Sequence, residues 1–251
     1  MHELTQLIKS DMKPALGVTE PGAIAFAVST AKSYLTGDVK KVLLRLNSGM
    51  YKNAFTCGIP GSSHVGNIYA AALGAVAGRP EKGLESLADV TEADNAAAER
   101  MVAAGMVEAK MTEITSRIFI EATVTTESGE AVVTIRDSHT NIVRITVNGE
   151  TVLSKEEETA GEAETKPLIH SYTLEQIYEY IDTVDVEEIR FIGDAFRMNY
   201  ELFEEGLNSP RTTYARYLLK KNGGEIISKD EQKTASLLCN AAIEARVIGL
   251  D

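Results

Sequence analysis

The sequence is poor in cysteine and in long apolar runs, and both shortages narrow the classes of protein it can represent. Its two cysteines, Cys57 and Cys239, are far apart and form no CxxC pair. Their spacing therefore indicates no metal site, and two free thiols in a reducing cytosol are expected. The most apolar stretch, Ile68 to Gly78, is too short and too rich in alanine to cross a bilayer. The polar N-terminus lacks the apolar core of a signal peptide, so a cytoplasmic location is predicted.

Positive charge is also scarce. The sequence has 25 lysines and arginines but 37 acidic residues, so its net charge is −12. This imbalance argues against nucleic acid or an anionic membrane as a partner. A small anionic ligand remains compatible with it, because backbone N–H groups at a helix start can outweigh the global field. The 251 residues suffice for one large domain or two small ones.

The chain divides into four segments by its pattern of apolar residues. Residues 1–111 read as an N-terminal α/β part, with helices over 2–12, 21–35, 64–76 and 85–107, a strand over 39–47 and a loop over 48–63. Residues 112–154 alternate with a period of two and predict an antiparallel meander of four strands. Residues 155–167 are charged and read as a linker. Residues 168–251 predict a helical part, an incomplete domain, in which Thr173 and Gln176 form a capping box.

These segments together predict an α/β fold in the broad sense (α+β), a helix-rich body with an inserted antiparallel β-meander. Two Gly/Pro loops in the first segment could carry chemistry, because each precedes an alanine-rich helix. In the first loop, Thr19 and Glu20 stand at the start of a helix that is apolar on nearly every face, which predicts a buried helix start. Its free N–H groups could bind a substrate carboxylate. The blander alternative, favoured by sequence alone, is that Thr19 and Glu20 cap the helix themselves.

The second loop, from Gly58 to Gly66, contains Ser62, Ser63 and His64. The serines could cap the helix or bind an anion, and His64 could donate to a carboxylate or act as a base. An ordinary, satisfied histidine is an equally good interpretation. The loop is neither a Walker loop nor a dinucleotide fingerprint.

The sequence gives weaker support for a site role of other polar residues. Upstream of the second loop, Lys52 could bind substrate but is more simply a solvated lysine, and Asn53 offers both donors and acceptors. His139 falls between two predicted strands, where turn formation is the simpler role.

Taken together, the motifs resemble a known family. GVTEPGAIAFA resembles the Gly-Cys-Thr-Glu-Pro-Gly-Ala-Ile-Ala motif of the L-cysteine desulfidase family, of the iron–sulfur serine dehydratase type (alpha subunit). YKNAFTCGIPGSSHVGNIYAAALGA, HTNIVRITVNGETV and TASLLCNAAIEARVIGLD resemble three further segments of the N-terminal portion of that family. The resemblance runs the whole length of the chain.

The resemblance implies a lyase that releases pyruvate and ammonia from L-cysteine or L-serine. In the family, a four-iron four-sulfur cluster held by cysteines acts as Lewis acid and a base removes the α-proton. The residues that match the substrate loops imply His64 and Glu20 as catalytic groups. The implied substrate-binding residues are Thr19, Lys52, Asn53, Ser62 and Ser63.

Two departures from the family pattern affect the implied cofactor. The first cluster cysteine falls at Val18, which has no ligand atom, and the family continues past Asp251 into a region that carries the other cluster cysteines. Neither Cys57 nor Cys239 matches a cluster position, so no cofactor is expected in this chain. Three hypotheses stay open: an incomplete lyase completed by a second chain or working as a homo-oligomer, a non-catalytic amino-acid-binding pseudoenzyme, and a cluster-free enzyme with His64 or Glu20 as base.

Overall fold

A computed structural model describes residues 1–12, 18–115, 117–155 and 167–249. The chain forms two compact units, each made from two stretches of sequence. The first unit comprises Met1–Pro14 and Glu157–Glu201, and the second comprises Ala15–Glu156 and Leu202–Asp251. Most of the predicted linker, residues 156–166, lies outside the described residues.

The second unit is built on one six-stranded mixed sheet. Its strands are β1 (Val39–Leu46), β2 (Val107–Met111), β3 (Phe119–Thr126), β4 (Gly129–Arg136), β5 (Ile142–Val147) and β6 (Glu150–Ser154). The order across the sheet is β2-β1-β3-β4-β5-β6, with β2 parallel to β1 and all other pairs antiparallel. The α+β fold with an antiparallel meander is thereby confirmed, and the meander shares its sheet with β1.

Ten α-helices occur in the described ranges. They are α1 (Glu3–Asp11), α2 (Thr19–Ser33), α3 (Ser48–Ala54), α4 (Gly66–Val76), α5 (Glu92–Ala103), α6 (Leu174–Thr183), α7 (Val186–Ile189), α8 (Ile192–Asn208), α9 (Tyr214–Lys221) and α10 (Glu231–Val247). Short 3₁₀ helices cover Pro80–Glu85 and Leu168–Ser171. None of the helices that the structure describes has the length and apolar character needed to cross a membrane.

The core of the second unit lies between the sheet and helices α2 and α4. One side of each central strand points into it, as in β3, where Ile120, Ala122 and Val124 are fully buried. Helix α2 buries residues on every face because it is covered by the sheet, by α4 and by the Pro80–Glu85 turn. Its small side chains permit this close approach.

Three sequence predictions of secondary structure are wrong. The predicted loop over 48–63 begins with helix α3, and the predicted helix over 85–107 shortens to α5 and is followed by the edge strand β2. Strand β2 is only five residues long and forms through pairing with β1 far away in sequence, so it has no strong local pattern. Within the predicted helical part, the sequence pattern favours one helix over 186–207, but the structure interrupts it between α7 and α8.

The first unit packs helix α1 against α6 through a polar contact. The hydroxyls of Thr5 and Tyr180 are 2.9 Å apart, and both side chains are buried. At the start of α6, Thr173 and Gln176 bond each other's backbone N–H groups, which confirms the predicted capping box.

Helix α5 has a second capping box, which gives a simple stability prediction. Thr91 accepts from the N–H of Asp94, and the Asp94 carboxylate accepts from the N–H of Thr91. Because Thr91→Ala leaves N–H groups of the first turn without an acceptor, we expect it to lower the free energy of unfolding by about 1 kcal/mol. Urea unfolding checks this, with Thr91→Ser as the control that keeps the cap. Equal stability of all three proteins would contradict it.

Candidate active site

A group of polar side chains surrounds Glu20, in the first turn of α2. Asn53, near the end of α3, donates its side-chain N–H to Glu20 Oε1 at 3.0 Å. The Thr19 hydroxyl donates to Glu20 Oε2 at 3.5 Å. Glu20 is half-buried, so its carboxylate is positioned by two neighbours and keeps room for a further donor.

Among the residues that the structure describes, no side chain caps the start of helix α2. The cap position is Val18, which makes no side-chain hydrogen bond, and Thr19 is already the first helical residue. The interpretation that Thr19 caps this helix is therefore wrong, because its side chain turns to Glu20 and His139 instead. The backbone N–H groups of the first turn of such a helix can donate hydrogen bonds to an anionic partner.

His139 brings a second titratable group to the same place. It lies in the loop between β4 and β5, and its Nε2 is 3.4 Å from the Thr19 hydroxyl. Burial lowers the pKa of this imidazole, while the nearby Glu20 carboxylate opposes the shift. The net direction favours a neutral ring, which is the form that can accept a proton. From sequence, turn formation is the simpler role for His139, and its place beside Thr19 is seen only in the structure.

Cys57 lies behind this group as a protonated thiol. Its Sγ donates to the Asn53 carbonyl oxygen at 2.8 Å, which ties the chain after α3 back to the helix. Burial raises the pKa of the Cys57 thiol, and the Glu20 carboxylate raises it further. We refer to Thr19, Glu20, Asn53, Cys57 and His139 as the Glu20 cluster.

His64, the other predicted catalytic residue, has different partners. Its Nε2 lies 2.8 Å from Glu99 Oε1 on α5, and its ring stacks on Tyr69 with centroids 4.0 Å apart. Its backbone N–H donates to the Ser62 hydroxyl at 3.1 Å. The structure thus couples His64 to Glu99 and couples Glu20 to Asn53 and His139.

The two remaining predicted site residues have exposed side chains. Lys52 is exposed in the last turn of α3, beside Asn53, and Ser63 is exposed between Ser62 and His64. Of the seven residues predicted from sequence, the structure joins Thr19, Glu20 and Asn53 in the Glu20 cluster and links Ser62 to His64.

The donor set of this chain does not fit the iron–sulfur cluster that the resemblance implies. Such clusters are held by several cysteine thiolates, whereas the chain has two cysteines. Cys57 is held as a thiol by its bond to Asn53, Cys239 is exposed on α10, and Val18 offers no ligand atom. Within the described ranges, no three His, Cys, Asp or Glu side chains group as a metal site would require.

Comparison with known proteins finds similar chains of greater length. A UPF0597 protein of Dichelobacter nodosus is 34% identical over 252 residues, which cover 99% of this chain and 58% of that protein. UPF0597 protein TTE0269 of Caldanaerobacter subterraneus is 34% identical over 98% of this chain and 57% of its own length. A UPF0597 protein of Clostridium botulinum (strain Okra) is 33% identical over 99% and 57%. The chain thus spans less than three-fifths of these relatives. No protein-family profile matches it.

Proposed function

We propose that this chain is the amino-acid-binding part of a cytoplasmic lyase that releases pyruvate and ammonia from L-cysteine or L-serine. The observation that carries the proposal is the Glu20 cluster, which joins an oriented carboxylate and a half-buried histidine at a helix start whose cap residue, Val18, makes no side-chain hydrogen bond. This combination offers complementary groups for both ends of a zwitterionic amino acid.

Each end of the substrate has a partner in this arrangement. The substrate carboxylate binds at the N–H groups of the first turn of α2, where the helix dipole favours negative charge. The substrate ammonium binds the Glu20 carboxylate, which Asn53 orients through its 3.0 Å hydrogen bond. The buried interior of α2 holds this helix start rigidly in place.

The same pose places the α-carbon near His139. A neutral imidazole takes the α-proton, the carbon–hydrogen electron pair forms the Cα–Cβ double bond, and the β-substituent leaves with its own bonding pair. The aminoacrylate product then tautomerises and consumes one water to give pyruvate and ammonia. Expelling the β-substituent needs an electrophile that the Glu20 cluster lacks, so we propose that a second polypeptide or a further segment supplies it.

Binding by the Glu20 cluster can be tested with matched carboxamide variants. L-Serine and L-cysteine are expected to raise the melting temperature of the chain, and their D-enantiomers to raise it less. Glu20→Gln removes the charge that pairs with the ammonium, so we expect at least a tenfold loss of affinity. Glu99→Gln is the control, because it removes an equal charge beside His64.

The control also decides between the two histidine sites. Loss of affinity in Glu99→Gln but not in Glu20→Gln would place the amino acid at His64, which Ser62 and Ser63 directly precede. It would contradict the assignment to the Glu20 cluster. The participation of His64 and Lys52 in binding stays a prediction of the sequence.

A non-catalytic amino-acid-binding protein is the second candidate. Val18 at the family's cysteine position and the protonated Cys57 favour it, since both remove thiolates from the neighbourhood of the Glu20 cluster. Anaerobic incubation with iron and sulfide, followed by assay of pyruvate from L-cysteine and L-serine, separates the two functions. Amino-acid binding without pyruvate supports the binding protein, whereas turnover supports the lyase.

Exposed apolar side chains on helix α10 suggest a surface that a further partner covers. Its inner side buries Leu237, Ala241 and Ala245, but Ile243 and Val247 on the same helix are exposed. We propose that a second copy or a second polypeptide covers these two side chains. A monomer that persists at high concentration in size-exclusion chromatography would contradict self-association.

A further inference from the structure

A second concave site lies in the second unit, at the end of α2 that is opposite the Glu20 cluster. A cavity of about 600 Å³ opens there beside the last turn of α2, and residues of α4, α5 and β1 complete its wall. Helix α2 has 15 residues, so its two ends are about 20 Å apart. The cavity is therefore separate from the Glu20 cluster.

The last turns of α2 and α5 meet at this cavity because both helices lead into neighbouring strands. The chain turns at Gly37 from α2 into β1 and at Gly105 from α5 into β2, which is parallel to β1. Both glycines have a positive φ, 80° and 70°, which glycine adopts without a steric penalty. The carbonyl oxygen of Met106 accepts from the N–H of Val42 at 2.8 Å, which fixes the turn after α5 beside β1.

The wall of the cavity is mainly apolar. Its apolar side chains include Val39, Ala75, Val76, Ala97, Met101 and Met106. Val76, at the end of α4, is 38% exposed, so apolar surface here is open to a ligand. Methionine side chains adapt their shape to irregular apolar groups. The volume falls within the range of roughly 300–1,000 Å³ that is usual for small-molecule sites, which also combine an apolar wall with a few polar groups.

Three charged side chains also line the cavity. Lys32 and Arg100 stand in the last turns of α2 and α5, where the helix dipole favours a cation. Lys32 Nζ donates to the Leu35 carbonyl oxygen at 3.4 Å, and among the described residues no carboxylate is paired with either cation. Asp38 is the third charged group and is exposed. The lining thus provides two cations and one carboxylate.

We propose that this cavity binds a short apolar carboxylate, with its carboxylate at Lys32 and Arg100 and its hydrocarbon chain against the apolar wall. The planar fork of arginine matches the two oxygens of a carboxylate, and lysine adds a compact positive charge. Asp38 provides a partner for the ammonium if the ligand is an α-amino acid. This inference is independent of the proposed function.

Calorimetric titration with 4-methylpentanoate, L-leucine, the neutral 4-methylpentanamide and acetate tests the proposal. The proteins are the full chain, the double variant Lys32→Gln/Arg100→Gln and the control Lys40→Gln. Lys40 follows Val39 in β1, pairs with Glu127 and does not line the cavity. We expect the full chain to bind 4-methylpentanoate or L-leucine at least tenfold more tightly than the amide or acetate. The double variant should lose at least tenfold in affinity, and the control should change less than twofold.

The titration also distinguishes the two sources of the carboxylate. Tighter binding of L-leucine identifies an α-amino acid, and tighter binding of 4-methylpentanoate identifies an acid without an amino group. L-Leucine is also titrated into Glu20→Gln, where unchanged affinity separates this site from the Glu20 cluster. Circular dichroism checks that the double variant is folded.

Three results would overturn the proposal. The first is that neither 4-methylpentanoate nor L-leucine binds the full chain more tightly than acetate does. The second is that the amide binds as tightly as the carboxylates, because the cations would then have no role. The third is that Lys40→Gln weakens binding as much as the double variant, because binding would then follow the general field of the protein.

Discussion

Replacing Gly74 by alanine is expected to lower the free energy of unfolding by about 3 kcal/mol, although alanine is the better helix former. Gly74 lies in the middle of α4, where this change normally stabilises a helix by about 1 kcal/mol. Here an added Cβ would stand 2.8 Å from both the Cα and the carbonyl oxygen of Ala25. Both atoms belong to the backbone of α2, so relief requires the two helices to separate.

The expected loss of stability is large because much of the core is packed around the close contact between α2 and α4. Both helices bury small residues along their contact, and their separation would open voids beside the sheet. Gly193 in α8 provides a matched control, because a Cβ there would meet no atom within 4 Å. We expect Gly193→Ala to be neutral or slightly stabilising.

Urea unfolding at pH 7, followed by far-ultraviolet circular dichroism, measures both variants. A change in the midpoint without a change in slope would show a loss of stability rather than a change in the denatured state. If Gly74→Ala were as stable as the starting protein, α2 and α4 would tolerate wider spacing, and the close packing described for this core would be wrong.

The meander was predictable because its period of two is a local property of the sequence. In β3 the residues Ile120, Ala122 and Val124 alternate with polar neighbours, and the strand buries this set. The capping box of Thr173 and Gln176 was predictable for the same reason, since its two partners are three residues apart. Strand β2 was not predicted, because it is defined by its parallel pairing with β1 and not by a local sequence pattern.

The candidate active site was predictable only in part. Thr19, Glu20 and Asn53 belong to conspicuous Gly/Pro-containing stretches, and they do lie together. His139 was not predictable as their neighbour, because it is 120 residues from Thr19 and reaches it only through the folding of the β4–β5 loop. Similarly, the pairing of His64 with Glu99 depends on the packing of α4 against α5.

Helix α9 illustrates a stabilising contact that no local motif reveals. Its cap residue, Thr213, makes no side-chain hydrogen bond at the helix start. The Glu244 carboxylate on α10 takes that role and accepts from the N–H groups of Thr213, Tyr214 and Ala215 at 2.9, 3.0 and 2.7 Å. A negative charge at a helix start is also favoured by the helix dipole. The carboxylate therefore joins α9 to α10.

Glu244→Ala is accordingly expected to destabilise the chain by about 2 kcal/mol at pH 7. The change leaves three N–H groups without their charged acceptor, and partial exposure of the carboxylate to water limits the cost. Glu244→Gln keeps the shape and one acceptor oxygen, so about half of that loss is expected. Urea unfolding of the three proteins provides the comparison, and equal stability of Glu244→Ala would show that water replaces the carboxylate without cost.

The pH dependence of the Glu244 contribution provides an independent test of its cause. Burial would raise the pKa of this carboxyl, but its hydrogen bonds from the backbone of Thr213, Tyr214 and Ala215 and the charge of Arg216 outweigh burial and lower it. A carboxyl with a depressed pKa in the folded state stabilises the protein above its unfolded value, near ~4.3. That stabilisation is lost as the pH falls through the folded value. The stability gap between the starting protein and Glu244→Gln should therefore be full at pH 7 and shrink as the pH falls below about 4. A gap that stayed constant down to low pH would assign the effect to packing rather than to the charge.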